Sequence, residues 1–363
     1  MQQIHLIVGA RPNYIKAHPV YRALEQRNVA RLTLVHTGQH YDRQMSDIFF
    51  EQLGMKKPDI SLNVGSGSHG AQTAAILERY EKVLLQDRPD LVIVFGDVNS
   101  TVACSLAAVK LHIPVAHVEA GLRSFDRSMP EEINRVLTDQ IADRLFITSP
   151  EAETHLRQEG IKPEKIHFVG NTMIDSLHEF TPAFAAATIS EDLNLPSRFA
   201  LLTFHRPSNV DDPAALSSLI TALVEVATTI PCVFPVHPRT RQKLADFHLA
   251  DTLEAHPNFY LIDPLGYIDF MALQKESAIV LTDSGGVQEE TTCFGVPCLT
   301  VRDNTERPIT CSAGTNTLIG TDYTRIPQAV RQTLAHPPKG QIPPLWDGKA
   351  GQRIADILSA YQP

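Results

Sequence analysis

The 363-residue chain lacks the signatures of several common chemistries, and each absence narrows what it can do. It has no basic excess: the formal net charge is −9. Nucleic acid or an anionic membrane as the main partner is thereby excluded, because both demand a positive face. A local basic pocket for one anionic ligand stays open. No apolar run reaches the length of a membrane span. The opening MQQIHLIVGARP has no basic n-region and no cleavage site, so it reads as a buried strand entering a loop, and the cytoplasm is the expected location. Five cysteines (Cys104, Cys232, Cys293, Cys298, Cys311) are an odd number without a CxxC pair, which argues against a disulfide framework and against zinc. The 15 histidines are scattered and form no HExxH; His112 and His117 flank Pro114 with poor ligand spacing, so no metal is expected. After Gly9 the next glycine is Gly38, so the first strand is not followed by GxGxxG and no nicotinamide cofactor is expected.

What is present is material for two domains. The length is about twice the usual domain size, and 43% hydrophobic with 20% charged residues suits an ordinary globular composition. The runs IHLIVGA, RLTLVHTG, LVIVFGD, IPVAHVEA, RLFITS and KIHFVGN are rich in branched residues and almost unbroken, as strands buried on both faces of a parallel sheet are. Amphipathic stretches separate them. In 70–87, Ile76, Leu77, Tyr80, Val83 and Leu84 recur at helical spacing. The pattern lapses at 181–197, and a second series follows: FALLTFHRP, PCVFPVHP, NFYLIDP, AIVLTDS, VPCLTVR and NTLIG. Two βαβ series predict two doubly wound sheets with a boundary near 170–195. PPKGQIPPLWDG is a further break before a last helical stretch, GQRIADILSAYQ.

Ligands of such sheets sit at the carboxyl ends of the strands, so the residues just after each run carry the interest. The first run ends in Gly9-Ala10-Arg11-Pro12-Asn13-Tyr14-Ile15-Lys16, with Arg11 in the loop and Lys16 about a turn into the helix. Two cations there suit a phosphate, the alternative being solvated surface charges. In the second half, AIVLTD enters Ser284-Gly285-Gly286-Val287-Gln288-Glu289-Glu290, where two glycines and a helix N-terminus offer backbone donors to a phosphate. Acids in the first turn would repel it, so Glu290 is read as reaching a vicinal diol such as a ribose; the plainer alternative is a complement to the helix dipole. Arg302 and Arg307 in RDNTERP add cation to the same rim. Acids close other runs: Asp97 after LVIVFG, Glu119 after IPVAHV, and Glu131-Glu132 after Pro130, where helix-start acids ordinarily serve the cap. Three converging on one cleft would be proton-transfer equipment. His205-Arg206 ends FALLTF and adds an imidazole.

GARPNYIK, GDVNST, HVEAGLRS, PEEINR, FHRPSN, DSGGVQEE and RDNTERP, in this order from about residue 4 to 320, closely resemble the non-hydrolysing UDP-N-acetylglucosamine 2-epimerases. The resemblance implies two Rossmann-like doubly wound α/β domains facing a cleft, as in glycosyltransferase-B folds, and a homodimer. The first domain would span 1–170 with 348–363 returning to it, and the UDP-binding domain 171–347. Asp97, Glu119, Glu131 and His205 match the family's catalytic positions. Arg11, Lys16, Ser284, Gly285, Gly286, Glu290 and Arg307 match ligand-binding positions, and Phe270 a residue near the base. Leu265, in PLGYIDF, stands where many relatives have glutamine. Some relatives are activated by a second substrate molecule through a Gln-His followed closely by Arg-Glu-Met. Here the loop reads Gly38-Gln39-His40-Tyr41-Asp42-Arg43-Gln44-Met45, which shifts Arg43; Gln39, His40 and Arg206 keep part of that equipment, and weak or absent activation is the expectation.

The implied chemistry is C2 epimerisation of a UDP-sugar by elimination of UDP to a 2-acetamidoglucal and re-addition, without cofactor. Which acid serves which face is open, as is further modification of the sugar. A two-domain UDP-sugar glycosyltransferase would need an acceptor base but not three carboxylates. A hydrolysing epimerase would release UDP, and a silent nucleotide-sugar sensor would not need every catalytic position filled.

Overall fold

A computed structural model of the protein describes residues 2–38, 54 and 56–360. The branched apolar runs form strands that pair in parallel throughout. The chain divides into two compact units, Met1–Glu179 with Pro344–Pro363, and Phe180–Pro343. The sequence-based division lay at 170/171 and 347/348; the compact units divide later in the chain at the first point, because a helix over Thr172–Ala185 starts in the first unit and ends in the second.

The first unit holds β1 (Gln2–Val8), β2 (Ala30–His36), β3 (Ile60–Ser61), β4 (Leu91–Phe95), β5 (Val115–Ala120), β6 (Arg144–Ile147) and β7 (Ile166–Phe168), in the order β3-β2-β1-β4-β5-β6-β7. Helices α1 (Arg11–Arg27), α2 (His69–Gln86), α3 (Asn99–Lys110), α4 (Pro130–Ile141), α5 (Pro150–Gln158) and α6 (Thr172–Ala185) connect them or follow β7. In α2 the buried side chains are Gln72, Ile76, Tyr80 and Leu84, one per turn, with Ser68 capping the start by accepting from the Ala71 N–H. Tyr80 and Leu84 then pack with Val92, Val94 and Val115 of the sheet.

The second unit holds β8 (Ala200–Thr203), β9 (Cys232–Pro235), β10 (Phe259–Ile262), β11 (Ile279–Thr282), β12 (Cys298–Thr300) and β13 (Asn316–Leu318), in the order β10-β9-β8-β11-β12-β13. Its longer helices are α7 (Pro213–Ala227), α8 (Pro238–Asp246), α9 (Tyr267–Glu276), α10 (Gly285–Phe294) and α11 (Ile326–Ala335). Alternate residues of β8 feed two cores, one face with Ala200 and Leu202, the other with Leu201 beside Phe199, as a sheet covered on both sides requires.

The last helix, α12 (Ala350–Ser359), packs on α1. A Cβ added to Gly351 would lie 2.6 Å from the Pro19 carbonyl oxygen, so only glycine permits that approach. Buried Asp175 of α6 accepts from the Ala350 and Gly351 N–H groups at 3.0 and 2.7 Å, filling orphan donors at the start of α12. Burial nevertheless pushes its carboxyl up to about 6. No helix among the described residues is long and apolar enough to cross a membrane.

In both sheets the chain winds outward to one side, returns, and continues to the other. The switch points fall between β1 and β4 and between β8 and β11, where a doubly wound sheet opens to a ligand at its carboxyl edge.

Candidate active site

At the first switch point the chain leaves β1 through Gly9. A Cβ there would come 2.3 Å from Ser100 Oγ and 2.7 Å from Thr37 Oγ1. Asn13 then ties the start of α1 to the end of β4: its Oδ1 accepts from the Ala10 N–H at 3.0 Å and its Nδ2 donates to the Phe95 carbonyl at 2.8 Å. Lys16, about a turn into α1, is buried and its ammonium meets the Glu119 carboxylate. Arg11 heads α1, and its side chain lies outside the described residues.

Glu119 sits inside β5 with φ of 74°, the left-handed region that costs a non-glycine residue roughly 1–3 kcal/mol. The register with β6 shifts between Val118 and Ala120, so this is a bulge, a device that re-aims a side chain at a sheet edge. Gly96, at φ 64°, makes room: a Cβ there would lie 3.1 Å from both Glu119 Oε2 and Lys16 Nζ. Asp97 follows directly, its carboxylate paired with Arg135 of α4 and its carbonyl accepting from Asn134 Nδ2 at 2.9 Å.

The two acids of PEEINR separate in role. Glu132 is buried and accepts from Ser124 N–H and Oγ and from Phe125 N–H at 2.9–3.0 Å, while Arg135 donates to it at 2.5 Å. It fastens the loop before α4. Glu131 is half-buried and engages no polar partner among the described residues. Its helix and Asp97 are joined through Arg135, so the structure brings Asp97, Glu119 and the α4 start to the same sheet edge.

At the second switch point, His205 follows β8. Buried Asp283, after β11, accepts from the His205 and Arg206 N–H groups at 3.0 and 2.9 Å and from Asn209 Nδ2 at 3.0 Å, and it faces His205 Nδ1 at 3.2 Å. Burial alone would raise the Asp283 carboxyl; the His205 ring and these donors hold it below the usual range. Ring orientation is thereby set through Nδ1, with His205 still partly exposed and the His237 ring tilted against it, centroids 5.4 Å apart.

Ser284 is the N-cap of α10, and its side chain makes no cap hydrogen bond to that helix. Its first turn carries no acid, because Glu289 and Glu290 begin only beyond it; the repulsion anticipated from the sequence does not arise. A Cβ on Gly285 would meet Arg307 Nη1 at 2.5 Å, which places that guanidinium at the helix start. Arg307 is buried against Glu289 at 3.0 Å and Glu306 at 2.7 Å, and Glu306 also faces Arg302 at 2.7 Å and Arg206 at 3.6 Å. Burial and neighbouring Glu289 push the Glu290 carboxyl up to about 7, against the pull of Arg307. Phe270 of α9 and Leu265 before it pack against the Phe199, Leu201, Val233 core. Gly286 is half-buried in the first turn of α10.

Gln39 and His40, named as part of a regulatory loop, lie outside the described residues. Asn13, Asn134, Arg135 and Asp283 were not singled out from the sequence, although each lies inside a quoted motif. Each holds another site residue or the backbone that carries one.

The model of the family described as UDP-N-acetylglucosamine 2-epimerase matches residues 22–359. A Methanocaldococcus jannaschii protein named UDP-N-acetylglucosamine 2-epimerase is 43% identical over 368 residues, covering 98% of this chain and 99% of its own. A Pseudomonas aeruginosa protein named UDP-2,3-diacetamido-2,3-dideoxy-D-glucuronate 2-epimerase is 44% identical over 362 residues, covering 98% and 99%. Among solved structures, the M. jannaschii UDP-GlcNAc 2-epimerase in complex with UDP-GlcNAc and UDP matches with a TM-score of 0.93 at 44% identity, covering 99% of this chain and 100% of that one. A likeness that runs the full length of both chains takes in both switch points at once, and it places this enzyme in the UDP-N-acetylglucosamine 2-epimerase family.

Proposed function

We propose that the protein interconverts UDP-N-acetylglucosamine and UDP-N-acetylmannosamine by epimerisation at C2. The hydrogen at C2 is not next to a carbonyl, so direct deprotonation is too slow to serve. Departure of UDP from C1 takes the C1–O electron pair and builds positive character beside C2; loss of the C2 proton to a base then leaves 2-acetamidoglucal. Re-addition delivers a proton to the opposite face of C2 and returns the diphosphate oxygen to C1. The path needs a base and an acid on opposite faces and firm binding of the departing diphosphate.

Asp97, Glu119 and Glu131 supply the proton-transfer groups in this reading. Glu119 carries it: a carboxylate held on a strained bulge, at a switch point, against a buried lysine, is an arrangement that folding alone does not call for. His205, oriented by Asp283, donates to the leaving diphosphate. Arg11, Lys16, Arg307 and the Ser284-Gly285-Gly286 turn bind that charge, Glu290 takes the ribose diol, and Phe270 lies near the base. Run in deuterated water, the reaction puts deuterium at C2 of the product, read by proton NMR. Retention of the original hydrogen excludes elimination, and accumulation of free UDP with N-acetylmannosamine identifies a hydrolysing enzyme.

A second reading changes only the sugar. The P. aeruginosa relative is as similar as the M. jannaschii one, and its name specifies a 2,3-diacetamido glucuronate. Parallel kcat/KM measurements on the two UDP-sugars decide between them. A homodimer in the cytoplasm completes the proposal, and light scattering of the purified protein tests the dimer.

A further inference from the structure

The edge that carries Asp97 and Glu119 rests on a buried polar group that the chemistry above does not use. His117 of β5 is fully buried, as is Asp139 of α4. The ring Nε2 meets the Gly96 carbonyl at 2.8 Å and Nδ1 meets Asp139 Oδ1 at 2.7 Å. The same carboxylate accepts from the Gly121 N–H at 3.1 Å and faces buried Arg123 at 2.7 Å, which pairs in turn with Glu159. Burial works to raise the Asp139 carboxyl, and His117 and Arg123 hold it below the usual range. An acceptor thus faces each ring nitrogen, the Gly96 carbonyl at Nε2 and the Asp139 carboxylate at Nδ1.

Two consequences follow from where these bonds land. Residues 117 and 121 stand on either side of Glu119, so one carboxylate brackets the bulge that gives Glu119 its left-handed backbone. The carbonyls of Phe95, Gly96 and Asp97 are each taken by a side chain: Asn13 and Thr101 on the first, His117 on the second, Asn134 on the third. Of these, His117 reaches both strand ends. A buried ion pair is a poor means of stabilising a fold, since an apolar replacement of similar volume often does as well. Its bonds here fix the geometry of two strand ends.

We propose that His117 and Asp139 form a positioning pair that holds the Gly96–Asp97 turn and the Glu119 bulge in the arrangement proton transfer requires. The inference rests on the reading of Asp97 and Glu119 as proton-transfer acids. Neither residue of the pair touches substrate; each acts through backbone it holds.

The two arms of the ring can be cut separately. An asparagine amide falls near the position of Nδ1 and a glutamine amide near that of Nε2. His117→Asn therefore keeps a link to Asp139 and releases Gly96, whereas His117→Gln keeps Gly96 and releases Asp139. With UDP-N-acetylglucosamine as substrate, kcat, KM and melting temperature are measured for both, beside Asp97→Asn and Glu119→Gln. The expected result is a kcat loss of about a hundredfold in His117→Asn, the scale of an ångström-level misplacement, with KM held within about twofold and a loss of roughly tenfold or less in His117→Gln, at similar melting temperatures. Equal kcat losses that track melting temperature overturn the proposal, and so does near-normal kcat in His117→Asn. Should His117→Asn not fold, Asp139→Asn takes its place: an amide still accepts from Gly121 but no longer offers the ring and Arg123 a carboxylate, and near-normal kcat there overturns the proposal equally. If Asp97→Asn and Glu119→Gln keep wild-type turnover, the assignment of the acids fails and the pair has nothing to position; a failure confined to the His117 and Asp139 variants refutes the positioning pair alone.

Discussion

At the β1/β4 switch, carboxylates are presented by the main chain itself: Glu119 by a bulge with φ of 74°, Asp97 by the glycine turn before it, each against a cation. At the β8/β11 switch the same winding presents backbone amides and an imidazole instead, and the carboxylate there, Asp283, is buried under His205. One unit sets its strand-end acids against cations at the sheet edge, and the other buries its strand-end acid behind the His205 ring. The difference shows that a doubly wound sheet fixes where chemistry sits and leaves the sign of that chemistry to a handful of strand-end residues.

The comparison breaks first if the first unit's acids prove dispensable. Asp97→Asn, Glu119→Gln and Glu131→Gln keep size and lose basicity, so turnover falls by about 10²–10⁴-fold while UDP affinity changes little. Steady-state kinetics beside calorimetric titration of UDP checks this, and a variant with normal turnover demotes its residue to packing or capping. The second unit gives the opposite pattern. Glu290→Gln weakens UDP binding on the order of ten- to a hundredfold, the value of a hydrogen bond to a charged group, with a smaller effect on turnover of bound substrate.

Titration sharpens the contrast. An ionised Glu290 is the better acceptor for a diol, so UDP affinity of the wild type rises as pH passes upward through about 7, and in Glu290→Gln it is flat across that range. Stability moves the other way. Glu290 and Asp175 are both raised in the folded protein, so their contribution is fully present below the unfolded values near 4 and is lost as pH rises through about 6 for Asp175 and about 7 for Glu290. Between about pH 5 and pH 8 the wild-type melting temperature falls, and Glu290→Gln falls less by roughly 4 °C. An identical pH slope in the two proteins contradicts the buried, raised carboxyl.

How far the sequence reaches can be judged from particular residues. Twelve apolar runs became strands because parallel strands covered on both faces leave an unbroken apolar record. The strand missed, β3, pairs only Ile60 and Ser61, too short to leave a pattern. Lys16 read as a cation for phosphate, but its ion pair with Glu119, 103 residues away, was invisible, because no local spacing announces such a partner. Glu131 and Glu132 are indistinguishable as letters; only the loop that Glu132 fastens tells them apart. Asp283 stood in a quoted motif, but a strand-end acid carries no mark of whether it faces a ligand or the main chain. The backbone of Glu119 was invisible, since a bulge is imposed by its neighbours.

The smallest expected effect concerns regulation. With Arg43 displaced from the family's spacing, epimerisation of pure UDP-N-acetylmannosamine proceeds without a lag, followed by NMR from the first minutes. A long lag abolished by a trace of UDP-N-acetylglucosamine overturns that expectation.

The tether between Asp175 and the start of α12 also dictates an order of assembly. Residues 180–343 form one unit, whereas the unit around them takes in residues from both sides of that segment and is closed by α12, which follows it in the chain. During synthesis, the inner unit has every residue it needs before the segment that closes the outer one has been made. The unit proposed to supply the acids is thus completed after the other, so a nascent chain stopped just past residue 343 carries a whole inner unit and an unfinished outer one.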